Sequence, residues 1–368
     1  MQPRPATRVE GYDVYQAAYD RILWLLQEFD GKVAVTFSGG KDSTIVLEVA
    51  ARVARENGFP PIEAWFLDQA AEFQATIDYM RYIHREREDI KLHWYQVPFP
   101  MENSMNLDDP WFQVWGEGEE WLRPKEEGSI HDNVYGRDLI FYGLLDAIAK
   151  KDFPGYALLD GMRAEESPNR RVSMVSKPQY KWVTWSAVKR KDGGCRFHPI
   201  WDWTFRDVWK AIHDNDWRYN AHYDAMFRVG VSHRHMRVSS FTHVMSTGSI
   251  TTLQELEPET WERALRRYPG LSALSHLTRD AQLVEELPYM FTTWDEYMHH
   301  LNANLVEEEE WVTFLKQYDK LKKAYPEPEA ADWVAKKICS AIISGDHHSI
   351  GVDALVTARR REERLNAS

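Results

Sequence analysis

The chain has 368 residues, of which 43% are hydrophobic and 28% are charged, and its formal net charge is −12. This length and apolar content predict one large or two ordinary packed domains rather than a disordered chain. The acidic balance argues against a surface that attracts nucleic acid or anionic membranes over a wide area.

The first predicted element is a helix in residues 1–29. Apolar side chains recur at helical spacing from Tyr12 to Phe29, and Asp30-Gly31 then breaks the pattern. We therefore expect an N-terminal helix ahead of the first strand.

A strand, a glycine loop and a helix follow without interruption. Val33–Phe37 is rich in β-branched and aromatic residues, which strands prefer. Gly39 and Gly40 permit a sharp turn that brings backbone N–H groups close to a ligand. Ser43 and Thr44 suit a helix N-terminus, so we expect the helix to begin near Ser43. A glycine loop that leads into a helix N-terminus is typical of phosphate binding.

Strands and helices then alternate. We predict a second strand over 62–67, a helix over 71–86 and a third strand over 92–97. This order predicts an α/β fold with a doubly wound, mostly parallel sheet. Ligands bind such sheets beyond the carboxyl ends of the strands, where the glycine loop and Asp68 fall.

Residues 101–133 are irregular, acidic and rich in tryptophan. A long loop inside a compact domain is usually either functional or disordered, and its aromatic residues favour an ordered cover over the site. A helix over 136–150 and a fourth strand over 156–160 are expected next.

Arginines follow the fourth strand closely. Guanidinium groups such as that of Arg163 suit phosphate or sulfate oxygens. Residues 163–191 hold eight basic and two acidic side chains, a local charge of +6 in an acidic chain. Such a patch focuses anionic ligands, although a solvated charged loop is the alternative interpretation.

Two further segments carry recognisable patterns. In Phe197–Trp209, Thr204 is predicted to cap a helix with Asp207 completing a capping box, and the tryptophans are expected to pack in the core. The second segment is Tyr219–Asp224, which contains two tyrosines, an asparagine and an aspartate. His233 and His235 lack a neighbouring cysteine or acid, so we expect solvent-exposed or phosphate-facing histidines rather than a metal site.

The remainder, residues 239–368, is predicted to be a helical C-terminal region. Its expected role is to form a lid, a dimer contact or a partner contact. The predicted helices cover 251–267, 293–301, 306–324 and 330–343. The arginine-rich tail at 359–364 gives a weak signal for nucleic acid.

The segment Ser38-Gly39-Gly40-Lys41-Asp42-Ser43 resembles the PP-loop of the ATP pyrophosphatase, or adenine nucleotide alpha-hydrolase, superfamily. The stretch from Gly161 to Arg171 and the Asp202-Trp203-Thr204 segment resemble the phosphoadenylyl-sulfate (PAPS) reductase branch. The resemblance covers roughly residues 30–235 and implies an adenine-nucleotide-binding α/β domain over 30–238.

The resemblance also implies roles for individual residues. Lys41 would offset the charge that develops as pyrophosphate leaves, Asp42 would place Mg²⁺, and Arg163 would complete the catalytic set. The implied nucleotide-binding residues are Ser38, Gly39, Gly40, Ser43, Thr44, Asp68, Gly161, Arg170 and Arg171.

The sequence context of the two cysteines does not match the thiol chemistry of the reductases. Those enzymes carry a catalytic cysteine in a glutamate-cysteine-glycine context, whereas Cys339 lies in Lys-Lys-Ile-Cys-Ser on an amphipathic helix and is expected to be buried. With Cys195 far away and no C-x-x-C pair, a disulfide scaffold, a zinc site and an iron–sulfur cluster are not expected.

The leading hypothesis is therefore an enzyme that binds ATP and Mg²⁺ and adenylylates an unknown acceptor with release of pyrophosphate. One alternative is a PAPS-binding enzyme that uses an external thiol. Another is a non-catalytic nucleotide-binding regulator or a component of DNA sulfur modification. A partner protein or a homo-oligomer is possible. The N-terminus lacks an apolar signal segment, so we expect a cytoplasmic protein without membrane contact.

Overall fold

The fold is that of a computed structural model. It describes residues 13–102, 111–166, 180–187, 190–231, 236–242, 253–268, 271, 287–306, 308–343, 352–353, 355–357 and 359–360. The chain divides into two compact units. The first comprises residues 1–101, 113–241 and 256–260, and the second comprises residues 102–112, 242–255 and 261–368.

The first unit contains a parallel sheet of five strands in the order β3-β2-β1-β6-β7. Each neighbouring pair runs parallel, with Val35 of β1 opposite both Ala64 of β2 and Leu159 of β6. The remaining two strands, β4 and β5, form a separate two-stranded sheet. The strands are β1 (Val33–Thr36), β2 (Ile62–Leu67), β3 (Ile90–Tyr95), β4 (Phe99–Glu102), β5 (Trp111–Val114), β6 (Ala157–Leu159) and β7 (Cys195–Phe197).

Helices occupy both units. Those in or beginning in the first unit are α1 (Val14–Glu28), α2 (Lys41–Glu56), α3 (Gln74–Glu86), α4 (Phe141–Lys151), α5 (Phe205–Asp214), α6 (His222–Arg228) and α7 (Pro258–Arg267). Those of the second unit are α8 (Trp294–Leu305), α9 (Glu308–Ala324) and α10 (Ala331–Ile343). No helix in the described ranges has both the length and the apolar character needed to cross a membrane.

Helices cover both faces of the sheet. Alternate strand residues such as Val35 and Phe66 join one apolar core with side chains of α1, α2, α3 and α5. On the opposite face, Trp65 stacks on Phe153, which lies just beyond the end of α4, with ring centroids 6.1 Å apart. Because side chains alternate between the faces of a strand, each face buries its own apolar set. The predicted doubly wound α/β fold is confirmed.

The order of the strands indicates where a ligand site is expected in this sheet. From β1 the chain adds strands on one side, through β2 to β3, and later adds β6 and β7 on the other side. The direction of winding therefore reverses between β1 and β6, and ligands of doubly wound sheets bind beyond the carboxyl ends of the strands at such a point. The loop after β1 and the loop after β6 meet there.

The elements described within residues 287–343 of the second unit are helices, as the sequence predicted. Side chains of α8, α9 and α10 form its core, which includes Trp294, Phe314 and Ile338. Cys339 lies in that core and is fully buried.

Several predicted boundaries are wrong. The helix expected over 136–150 begins at Phe141, and the helix expected over 71–86 begins at Gln74. The helix after the glycine loop begins at Lys41, not near Ser43, because Gly40 takes an extended conformation and serves as the N-cap without a side-chain hydrogen bond. Ser43 therefore lies inside the first turn. Thr204, by contrast, caps α5 as predicted, and Asp207 completes the capping box.

Candidate functional site

The loop after β1 depends on Gly39. Its φ of +70° is one that side-chain-bearing residues seldom adopt, and a Cβ there would lie 2.8 Å from Met80 Cε and 3.2 Å from Thr76 Cγ2. Asn220 Nδ2 donates to the Gly39 carbonyl at 3.3 Å and to Thr76 Oγ1 at 2.8 Å. The turn is thereby held against α3.

Two serines of the loop are bonded to each other. Ser38 Oγ and Ser43 Oγ are 3.1 Å apart, and Ser43 Oγ donates to the Gly40 carbonyl at 3.0 Å. The hydroxyls therefore converge in front of the first turn of α2. Hydroxyls at a helix N-terminus form a suitable site for phosphate oxygens.

Tyr223 supports the same turn from α6. Its hydroxyl accepts a hydrogen bond from Lys41 N at 3.1 Å, and the Lys41 ammonium lies 5.5 Å from the centre of its ring. Burial raises the pKa of Tyr223, and the neighbouring Asp42 carboxylate adds to the effect, so the side chain remains a neutral phenol.

The Asp42 carboxylate forms ion pairs with two cations beside the glycine loop. Lys41 Nζ lies 3.0 Å from Asp42 Oδ2, and Arg163 Nε lies 2.7 Å from Asp42 Oδ1. Arg163 is 4% exposed, and its Nη1 also contacts Glu165 at 2.9 Å and the Trp203 carbonyl at 3.3 Å. The structure thus brings together the three residues predicted to be catalytic.

Gly161 lets the loop after β6 lie directly on α2. A Cβ at this position would be 2.7 Å from both the carbonyl carbon of Asp42 and the amide nitrogen of Ser43. No side chain fits between these two backbones. Gly161 therefore acts by close approach, two residues before Arg163.

Thr44 faces inward. It is fully buried, and its Oγ1 accepts a hydrogen bond from Tyr79 at 3.3 Å. Its described side-chain contact is with the core rather than with the residues that surround the glycine loop.

Asp68 lies at the end of β2, as predicted, but its carboxylate is engaged by protein groups. It is fully buried and pairs with Arg123 Nη2 at 2.6 Å. Trp94 Nε1 donates to it at 2.8 Å and Gln96 Nε2 at 3.0 Å. In this arrangement Asp68 anchors the residues that follow β5.

Those residues form an ordered segment, which we call the cover segment and define as residues 115–130. Trp115 is buried, and its Nε1 donates to the Asp68 carbonyl at 2.9 Å. Glu126 pairs with Arg81 at 2.6 Å, and its amide donates to Gln96 Oε1 at 2.6 Å. Ion pairs and buried hydrogen bonds thus dock the cover segment on β2, β3 and α3.

Two buried polar atoms lie beside the point where the winding reverses. Thr36 is the last residue of β1 and pairs in register with Trp65 of β2. Thr36 Oγ1 and Trp65 Nε1 are both buried and have no hydrogen-bond partner within the described ranges. Buried polar atoms are rarely left unpaired without a reason, so a polar ligand group would satisfy them.

Several sequence candidates lie outside the described residues. These are Arg170, Arg171, His233 and His235. Besides Arg163, the described cations of the +6 window are Lys181, Arg190 and Lys191, and the first two pair with acids beyond the window. Lys181 pairs with Glu28, and Arg190 pairs with Asp192.

The sequence indicated neither Asn220 nor Tyr223 as a site residue, although both hold the loop. They belong to the Tyr219–Asp224 segment, whose repeated aromatic and amide side chains were the available signal. Only the fold shows that this segment reaches a loop about 180 residues earlier in the chain.

The comparisons with known proteins concern the same region. A family model described as the phosphoadenosine phosphosulfate reductase domain matches residues 32–234, more than half of the chain. "Uncharacterized protein YbdN" of Escherichia coli (strain K12) is 25% identical over 384 residues, covering 96% of this chain and 93% of that protein.

Two named reductases are also similar. The phosphoadenosine 5'-phosphosulfate reductase of Xylella fastidiosa (strain M12) is 22% identical over 250 residues, covering 68% of this chain and 84% of the reductase. The solved PAPS reductase of Candida auris, a phosphate complex, covers 60% of this chain and 94% of its own at 14% identity. The TM-score of this match is 0.32.

The matched residues run from just before β1 to beyond α6 and include the glycine loop, Gly161, Arg163 and the capped helix α5. The resemblance indicated by the sequence motifs is thereby confirmed, and the chain belongs to the phosphoadenosine phosphosulfate reductase domain family.

Proposed function

We propose that the chain is an enzyme that binds ATP and transfers its adenylyl group to an acceptor, with release of pyrophosphate. The observation that carries the proposal is the joining of Lys41 and Arg163 on the Asp42 carboxylate, at the N-terminus of α2. These cations are balanced by Asp42 and Glu165, and together with the N-terminus of α2 they would hold a negatively charged ligand group.

The loop would hold the β- and γ-phosphates. Ser38 and Ser43 already point their hydroxyls at one place, and Lys41 would neutralise charge on the leaving pyrophosphate. Arg163, buried and fixed by Glu165 and Trp203, would hold the α-phosphate or the acceptor. The unpaired Thr36 Oγ1 and Trp65 Nε1 would meet polar groups of the nucleoside.

We propose Mg²⁺ as a companion of the nucleotide at this site. Within the described ranges no three His, Cys, Asp or Glu side chains come together as a metal site. A phosphate-bound Mg²⁺ needs only one or two carboxylates, and Asp42 is the carboxylate at the loop. When bound, the ion would neutralise phosphate charge, while Lys41 and Arg163 would keep Asp42 in position.

The state of the two thiols supports ATP chemistry over reduction by a thiol of this chain. Cys195 and Cys339 are both buried, and burial raises the pKa of Cys339 to about 12. A buried neutral thiol is a poor nucleophile, because the thiolate is the reactive form.

A second candidate is a PAPS-binding enzyme that uses an external thiol. Family membership and the name of the Xylella fastidiosa relative favour it, and the same loop and Arg163 would hold its phosphate and sulfate groups. A nucleotide-binding regulator without turnover, or a part of a DNA sulfur-modification system, is a third. Binding without pyrophosphate release would point to the third.

The test is isothermal titration of ATP and of PAPS, each with Mg²⁺, into wild type, Lys41→Ala and Lys210→Ala. Lys210 is an exposed lysine that pairs with Asp214 on α5, so its variant controls for general charge loss. We expect ATP binding that Lys41→Ala weakens at least about tenfold and Lys210→Ala leaves unchanged. PAPS binding with no heat from ATP would overturn the preference for ATP.

A further inference from the structure

An imidazole and a carboxylate stand at the same edge of the sheet, outside the loop. Asp160 follows β6, and His198 follows β7, its neighbour in the sheet. His198 Nδ1 lies 2.6 Å from Asp160 Oδ1, and His198 is 4% exposed. Such a pair at the carboxyl end of two parallel strands lies where ligands bind.

The Asp160 carboxylate is ionised at neutral pH. Burial alone would raise its pKa, but the charges of His198 and Arg196 and the hydrogen bond from Met162 N lower it below the ordinary value. Met162 N lies 3.1 Å from Oδ1, and Arg196 Nε lies 3.9 Å from Oδ2. A carboxylate only accepts hydrogen bonds, so Nδ1 carries the proton and Nε2 of the neutral ring is an acceptor.

The hydrogen bond of the His198 ring is made by Nδ1. Within the described residues the ring has that one hydrogen bond, to Asp160. Arg21 of α1 donates to the Pro199 carbonyl, next to His198, at 2.6 Å and pairs with Asp202 at 2.7 Å. Asp160 is thus the carboxylate that contacts the imidazole directly, and it fixes the orientation of the ring through Nδ1.

The loop that carries His198 is tied to the loop that carries Arg163. Ala164 N donates to the Trp201 carbonyl at 2.8 Å, and Arg163 Nη1 donates to the Trp203 carbonyl at 3.3 Å. Gly161, the residue after Asp160, lies against the first turn of α2. The imidazole therefore shares the edge of the phosphate-binding loop, on the side of β7.

We propose that His198 is the catalytic base for the acceptor, that Asp160 is its positioning residue, and that the acceptor is a protic nucleophile. This rests on the proposed function. The acceptor heteroatom attacks the α-phosphorus and forms a new bond to it, while the bond to the pyrophosphate oxygen breaks and that oxygen keeps the electron pair. The acceptor proton passes to His198 Nε2. The substrate class is a hydroxyl, amine or thiol compound, not a fully ionised oxyanion such as sulfate, which has no proton to give.

The test measures pyrophosphate release from ATP and Mg²⁺, with hydroxylamine as the protic probe and sulfate as the oxyanion probe, across pH 5 to 9. Because hydroxylammonium itself loses a proton within this pH range, each rate is divided by the fraction of hydroxylamine present as the free base. We expect release with hydroxylamine, and a corrected rate that rises through one ionisation. His198→Gln should lose that ionisation and roughly 10²-fold in rate with ATP affinity unchanged. Asp160→Asn should also lower the rate with ATP affinity unchanged, because Nδ1 loses the charged acceptor that orients the ring.

The matched control is His213→Gln. His213 lies 3.2 Å from Asp214 in an exposed pair on α5, so this variant removes a histidine–aspartate pair remote from the loop and should match wild type. Release with sulfate but not with hydroxylamine, or a His198→Gln profile equal to that of wild type, would overturn the inference alone. Wild type that releases no pyrophosphate with either probe would overturn the proposed function and the inference together.

A measurement on the wild type covers the case in which the variants do not fold. Nitrogen-15 spectra of the histidine rings report which nitrogen carries the proton. The proposal requires His198 to hold it on Nδ1 at high pH, and a ring with the proton on Nε2 would overturn it.

Discussion

Arg163 Nε and Asp42 Oδ1 are 2.7 Å apart, although 121 residues separate them in the chain. One residue belongs to the loop after β6 and the other to the first turn of α2, so this ion pair fastens the two loops that meet where the winding of the sheet reverses. The guanidinium reaches Asp42, Glu165 and the Trp203 carbonyl at once, which a single ammonium group does not reproduce.

Arg163→Lys should therefore damage both folding and binding. The lost hydrogen bonds of a buried group should lower the free energy of unfolding by about 1–3 kcal/mol, and ATP affinity should fall with it. Urea titration and calorimetry measure the two effects. Arg206→Lys, at an exposed arginine of α5, is the control. Equal stability of the Arg163 and Arg206 variants would contradict the role given to the Arg163 guanidinium.

Asp68→Asn should release the cover segment. The substitution leaves Arg123 buried without its counterion, which costs about 3–5 kcal/mol in comparable pairs. Limited proteolysis should then cut within residues 115–130 while wild type resists. Glu56→Gln, which breaks an exposed pair with Arg52, should leave the digestion pattern unchanged. Resistance of the Asp68 variant would show that the cover segment is held by other contacts.

Glu72 should make stability depend on pH. Burial, aided by the charge of Asp68, raises its pKa from an ordinary 4.5 to about 8 in the folded chain. Between these two values the folded state binds a proton that the unfolded state has lost, so this contribution to stability falls as pH rises and is flat above pH 8. Relative to Glu72→Gln, the free energy of unfolding of the wild type should fall by about 2–4 kcal/mol between pH 5 and pH 9. Parallel urea-unfolding curves would refute the shifted pKa.

The thiols should be inert in the folded chain. Cys195 and Cys339 are both buried, so a thiol reagent should label neither in native protein and both after unfolding. Cys339→Ala should cost about 1–2 kcal/mol of stability by leaving a small cavity. Its pyrophosphate release per folded molecule should equal that of wild type. Rapid native labelling of Cys339, or loss of activity in the variant, would favour chemistry at this thiol.

The parts of the site that sequence predicted are those encoded in short, continuous segments. Ser38 to Ser43 carry their turn and hydroxyls in six adjacent residues, and Gly161 precedes Arg163 by two, so local physics and motif spacing suffice. The alternation of strands and helices likewise gave the parallel sheet.

Sequence did not reveal which distant side chains would meet. Asp68 falls at a strand end whether it faces a ligand or Arg123, and only tertiary packing decides between these outcomes. Asn220, Tyr223 and the Asp160–His198 pair depend in the same way on contacts between remote segments. The start of α2 was misplaced because glycine at an N-cap leaves no side-chain signal, whereas the serine two residues into the helix resembles a cap.

The contact between Gly161 and the backbone of Asp42 and Ser43 limits how this site could diversify. The distance between the phosphate loop and Arg163 is set by direct contact of two backbone segments. No side chain lies between them whose size could change that distance. One inserted residue between Leu159 and Arg163 would carry the guanidinium out of line with Asp42. Divergence in substrate preference should therefore accumulate around the cover segment and the His198 loop, while chain length at the crossing of the two backbones stays constant.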